Sequence, residues 1–142
     1  MEHVVVDSSI AVKWFLDEPF SSASRIIRLN AKEGRCLLYA PDLIYAEVGN
    51  IIWKKQRFGD LEDSEAQTII TDFRALTLRI TPSVDLLAEA YQIAVTYQRS
   101  VYDSLYLALS VRRSCWFVTA DEKLVNALGG VLPRVVWIGH WE

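Results

Sequence analysis

Four acidic residues stand where they could do chemistry together. Asp7 follows the β-branched run Val4–Val6 with no residue between. Asp121 comes two residues after a second apolar run, Trp116–Thr119, and Asp103 opens the segment YDSLYLALSV. Glu47 lies inside DLIYAEVGNIIWKK, with Leu43 and Ile44 at i−4 and i−3 and Ile51 at i+4, so a helix would turn its carboxylate into the apolar stripe. Each has an ordinary reading. An Asp between strand and helix caps the helix, a first-turn Asp complements the helix dipole, and a buried Glu pairs with a base. A shared site accounts for all four at once. Two unit charges ~4 Å apart repel by ~4 kcal/mol at an effective dielectric of ~20, so clustered carboxylates call for a cation. All-oxygen donors select a hard ion, Mg²⁺ or Mn²⁺, suited to activating water and steadying a phosphodiester transition state.

What the chain lacks narrows this chemistry. It has no GxxxxGK[ST] or GxGxxG segment, and no zinc-ligand spacing. His3 and His140 sit near the two ends, and no Ser-His-Asp order suggests itself.

The supporting elements alternate between strand and helix. Strands are expected at Val4–Val6, Leu37–Ala40, Leu78–Thr81, Trp116–Thr119 and Val135–Ile138. Helices are expected from Ser8 or Ser9, as cap, to Phe15; from Pro19 to Lys32, stopped at Gly34; from Pro41-Asp42 to Arg57, stopped at Gly59; and from Asp60 or Asp63 to Leu76. Three more follow, over Val84 to Tyr97, over Tyr102 to Arg113, and in a short stretch ending at Gly129-Gly130. Strands of about four residues, apolar throughout and separated by helices, predict an α/β domain with a parallel sheet covered on both faces. In such a sheet ligands bind beyond the strand carboxyl ends, where Asp7 and Asp121 fall.

With 142 residues and no linker or repeat, 1–142 reads as one domain. A composition 51% hydrophobic and 23% charged is that of a folded chain with a core. The net charge of −3 argues against gripping nucleic acid by bulk positive charge, yet leaves room for acids gathered around a metal. No apolar run approaches the ~20 residues of a membrane span, and the first residues lack a secretory pattern. Cys36 and Cys115 form no CxxC pair, so buried thiols in the cytoplasm are expected.

The ordered set VVVDSSIAVKWF, Glu47 in a helix after a Pro-Asp turn, VYDSLYLALS and FVTADEKL resembles the PIN-domain ribonucleases, and more narrowly the toxin half of VapBC toxin–antitoxin pairs. That resemblance implies a PIN-like fold and a Mg²⁺- or Mn²⁺-dependent endoribonuclease leaving 5′-phosphate and 3′-hydroxyl ends. It also implies a homodimer silenced by a small VapB-like antitoxin. Carried across residue by residue, Asp7 and Asp103 match the acids expected to hold the ion most directly. Glu47 matches a helical acid that works through a bound water, and Asp121 a fourth acid counted with the metal set. Ser8 and Thr119 match small hydroxyls that bond to the acids or to metal waters.

Signals for substrate and partner lie outside the acids. Lys54, Lys55 and Arg57 crowd the last turn of one helix, either as a solvated helix end or as phosphate contacts. Lys13, one to two turns after Asp7, is a further phosphate candidate. Trp14, Phe20, Trp53 and Phe58 fall near helix ends, where some could stay exposed for a partner or a second subunit. Two rival readings stand beside the nuclease: a phospho-accepting receiver, which would want paired acids after the first strand, and a PIN-like module that only binds RNA or protein.

Overall fold

The computed structural model describes residues 1–141. Strand β1 (Glu2–Val6) leads into a short helix α1 (Ser8–Ala11) and a 3₁₀ turn (Val12–Trp14). Then come α2 (Ser21–Lys32), β2 (Cys36–Pro41), the hairpin of α3 (Leu43–Arg57) and α4 (Asp63–Ala75), and β3 (Arg79–Thr81). Helices α5 (Ser83–Tyr97) and α6 (Val101–Arg113) precede β4 (Trp116–Thr119), α7 (Glu122–Leu128) and β5 (Val135–Trp137).

All strand pairs are parallel, in the order β3-β2-β1-β4-β5. Chain order runs outward from β1 through β2 to β3 on one side, then resumes beyond β1 with β4 and β5. The direction therefore switches between β1 and β4, and beyond the carboxyl ends of such strands is where a parallel sheet opens a crevice for ligands. Val4, Val5 and Val6 are buried in succession, which requires that both faces of β1 be covered. α6 supplies much of one cover: Leu105, Tyr106, Leu107, Ala108 and Leu109 are all buried, and Tyr106 stacks on Phe117 of β4 with ring centroids 5.8 Å apart.

Several element ends differ from expectation. The first helix is capped by neither Ser8 nor Ser9. Asp7 caps it, its carboxylate accepting from the Ile10 N–H at 3.2 Å, because the Ser9 hydroxyl has turned back to bond the same carboxylate. α4 begins at Asp63 behind a reciprocal capping box between Glu62 and Glu65. α2 starts at Ser21 rather than Pro19, behind Phe20 in a left-handed conformation. Gly34 and Gly59 close α2 and α3 with φ of +77° and +81°, as their glycine identity suggests. Of the aromatics expected near helix ends, Trp14 is buried, its indole N–H donating to the Ser24 carbonyl at 3.0 Å. Phe20, Trp53 and Phe58 are exposed. Cys36 and Cys115 are buried and free.

Candidate active site

β1 delivers Asp7 to the crevice, and three donors fix its carboxylate. Oδ1 accepts from Ser9 Oγ at 2.5 Å and from the Ile10 N–H, while Oδ2 accepts from Thr119 Oγ1 at 2.6 Å. Thr119 ends β4, the strand beside β1, and its hydroxyl in turn accepts from the Asp121 N–H at 3.1 Å. Ser9 Oγ likewise accepts from the Ala120 N–H at 3.0 Å. The two strand ends are thereby stitched together through the hydroxyls on either side of Asp7. Burial pushes the Asp7 carboxyl up to about 6, against the three hydrogen bonds, and the charge on Glu47 adds to the rise.

Glu47 comes from the middle of α3, half-buried as its apolar neighbours suggested. Among the described residues it joins no ion pair. Its Oε1 accepts from the Tyr106 hydroxyl at 2.5 Å, a donor on α6. Burial raises the Glu47 pKa; the bonds from Tyr106 and the Ser8 hydroxyl oppose that rise, and the Asp103 charge reinforces it. Burial together with the Glu47 bond also raises the Tyr106 phenol, so it stays a donor at any working pH.

Asp103 lies in the first turn of α6, whose N-cap is Ser100; Ser100 Oγ accepts from the Asp103 N–H at 3.0 Å. Its pKa is raised by burial, lowered by the neighbouring Arg99 and raised again by Asp121. Asp121 is the most exposed of the four, and its Oδ1 caps α7 by accepting from the Leu124 N–H at 3.1 Å.

The acids thus act on one another in sequence, Asp7 with Glu47, Glu47 with Asp103 and Asp103 with Asp121. Three of the four are partly buried with raised pKa values, an arrangement more often found at functional sites than in structural ion pairs. Among the described residues, no three His, Cys, Asp or Glu side chains stand close enough to grip an ion by themselves. A closed cage of Asp7, Asp103 and Asp121 is therefore not formed. The donor set still suits Mg²⁺ or Mn²⁺, since Mg²⁺ keeps several of its waters and takes only one or two carboxylates directly.

Some expected positions fall elsewhere. Ser8 serves Glu47, and Ser9 is the hydroxyl on Asp7. Lys13 is buried, its ammonium 3.2 Å from Glu18, so it is not a free phosphate contact; it lies in the 3₁₀ turn after α1, whose three residues are all buried. Lys55 lies 4.0 Å from the same Glu18, while Lys54 is exposed. Arg57 spreads over the Trp53 and Phe58 rings, 5.4 and 5.7 Å from their centroids. Sequence reasoning overlooked Ser9, Tyr106 and Arg99. Tyr106 was legible in principle, because i and i+3 share a helix face and it stands three residues after Asp103.

A sequence model of the PIN domain matches residues 4–128. Ribonuclease VapC3 of Pyrobaculum aerophilum is 30% identical over 130 residues, covering 89% of this chain and 94% of that protein. Among solved structures, PAE2754 from Pyrobaculum aerophilum superposes with a TM-score of 0.71 at 17% identity, over 97% of this chain and 85% of that one. VapC20 from Mycobacterium tuberculosis, described as a sarcin-ricin loop cleaving toxin, gives 0.63 at 14% identity over 93% and 98% of the two chains. VapBC2 from Rickettsia felis, bound to a DNA fragment from its promoter, gives 0.62 at 14% identity over 95% and 96%. At such identities these structures speak to the fold alone.

Proposed function

Because this chain belongs to the PIN domain family, we propose that it is a Mg²⁺- or Mn²⁺-dependent endoribonuclease, the toxin of a type II toxin–antitoxin pair. What supports this reading most is that Asp7, Glu47 and Asp103 come from three separate elements, act on one another through their charges, and join no ion pair among the described residues. The similarity to a ribonuclease of the VapC group supports RNA as the substrate. A VapB-like antitoxin, a homodimer and a cytoplasmic setting complete the proposal.

Asp7 and Asp103 would hold the ion most directly, with Asp121 counted in the same set. When bound, the ion offsets the gathered negative charge and the charge developing on the phosphodiester. The protein's own groups do the positioning. Ser9, Thr119 and the Ile10 N–H fix the orientation of the Asp7 carboxylate and leave one acceptor position on Oδ2. Tyr106 clamps Glu47 against the α6 side. Its pKa, raised by burial, makes Glu47 a stronger base than a solvated carboxylate for taking a proton from the attacking water. The P–O3′ bond breaks, the departing ribose oxygen takes a proton from solvent to become the 3′-hydroxyl, and the phosphate stays on the 5′ side.

The test is cleavage of a structured RNA by the purified protein in millimolar Mg²⁺ or Mn²⁺. EDTA should stop it, the new ends should carry 5′-phosphates, and Asp103→Asn should slow it by orders of magnitude. Undiminished cleavage by Asp103→Asn, or cleavage indifferent to EDTA, would remove the reading.

A further inference from the structure

Acids gathered at a crevice repel the polyanion they are to cut, and a chain of net charge −3 offers little bulk attraction to offset this. The bases that sequence reasoning offered do not meet the need. Lys13 is buried against Glu18, Lys55 leans toward the same carboxylate, and Lys54 lies seven residues beyond Glu47, roughly 10 Å along α3.

Arg99 is different. It occupies the turn between α5 and α6, one helical turn before Asp103, and the turn is held on both sides. Gln98 closes α5 in the left-handed conformation, with φ of +56°, and its side-chain amide donates to the Val95 carbonyl at 3.0 Å. Ser100 caps α6. The Arg99 N–H itself donates to the Ala94 carbonyl at 3.3 Å. From that fixed base the side chain is half-buried, and Nε is one of only two buried side-chain polar atoms without a hydrogen-bond partner among the described residues. The other, Ser104 Oγ, is shut inside the fold. Nor does the guanidinium join any ion pair among those residues, although its charge reaches Asp103.

A buried N–H without an acceptor requires explanation, because native structures leave very few. A planar guanidinium held beside a carboxylate but not bonded to it has its fork of donors available for another anion. We propose that Arg99 binds a phosphate of the RNA backbone at the acid crevice, as the cation that positions the substrate beside Asp103. This inference rests on the ribonuclease reading and adds a residue to it. The guanidinium matches the two non-bridging oxygens of a phosphate bidentately, and a half-buried side chain that turns outward to meet it also brings the enclosed Nε to an acceptor.

The test compares wild type, Arg99→Ala and Arg99→Lys in cleaving a short RNA, with KM, kcat, the salt dependence of kcat/KM and the Mg²⁺ concentration for half-maximal rate measured for each. Arg99→Ala is expected to lose roughly tenfold in kcat/KM, mainly through KM, and to flatten the log–log salt slope by about one. Its Mg²⁺ requirement should stay where it was, millimolar guanidinium should restore part of its rate, and Arg99→Lys should fall between the two. Melting curves show whether each variant is folded; should the alanine unfold, Arg99→Gln carries the same comparison. An unchanged salt slope with a shifted Mg²⁺ requirement would mean that Arg99 acts only on Asp103, and would overturn the proposal. So would a variant equal to wild type in every constant. Failure of wild type itself to cleave RNA would instead strike the ribonuclease reading.

Discussion

Asp7 is held by three donors and still has a carboxyl raised from 3.8 to about 6, so in the metal-free fold its ionised form is disfavoured. The sign of the linkage follows. Below about pH 4 Asp7 is protonated in both the folded and unfolded states and contributes no difference. Between about 4 and 6 the folded state binds the proton more tightly, so stability falls as pH rises, and above 6 the deficit is complete at up to about 3 kcal/mol. In EDTA, Asp7→Asn should match wild type near pH 4 and exceed it near pH 7.5, as seen by denaturant titration at both values. Parallel curves at the two pH values would show that the burial is relieved in solution. Asp103→Asn extends the same logic. It removes one of several like charges with little change of shape, so in EDTA it should melt at or above wild type, by on the order of 1 kcal/mol. Wild type should then gain more from millimolar Mg²⁺, since a ligand of the folded state alone adds stability by mass action. A mutant weaker in EDTA with an undiminished Mg²⁺ response would mark Asp103 as structural.

At the scale of elements, the site depends on how α3 and α6 face each other across the strand ends. Tyr106 joins them: it stacks on Phe117 in the sheet and donates to Glu47 on the far helix. Tyr106→Phe keeps the stacking and deletes the bond. Hydrogen bonds to charged groups contribute ~1.5–3 kcal/mol, so a loss of stability of that order is expected. Because the bond lowers the Glu47 pKa against burial, its removal should let that pKa rise further and move the alkaline-going limb of the kcat–pH profile to higher pH. A reduced rate with an unmoved profile would confine Tyr106 to packing. Ser100 sets where α6 begins and hence where Asp103 points. Ser100→Ala should cost about 1 kcal/mol in thermal unfolding, with a larger loss of cleavage than that figure implies, whereas Ser100→Gly should cost only a few tenths.

At the scale of the molecule, α5 has two apolar faces. Leu86 and Ala90 are buried against the rest of the fold, while Val84, Leu87, Tyr91 and Val95 form an exposed stripe at spacings of three, four and four. Such a stripe on a helix already packed on its other side suits a second copy of the chain, in keeping with the proposed homodimer. Sedimentation equilibrium should give twice 16.2 kDa, and Leu87→Glu should halve it while leaving the fold intact. A monomeric wild type at micromolar concentration would count against the dimer.

The sequence alone determined the alternation of strands and helices and the parallel sheet they build, and it singled out four acids. These follow from local causes: short apolar runs bounded by turn residues, glycine stops, and carboxylates set after strands, in a first helical turn, or on the apolar stripe of a helix. It left open which carboxylate is a cap and which is free, since an Asp after a strand looks alike in both roles; Asp7 turned out to be a cap and a crevice acid together. Tertiary structure decided the fate of the bases. Lys13 and Arg99 each stand near an acid in sequence, yet one is turned inward to Glu18 while the other is left beside Asp103 with a donor unmet. Only the packing of the turns before and after the helices distinguishes them, because burial and pairing are properties of the neighbours that folding brings, and long-range neighbours are not written in local spacing.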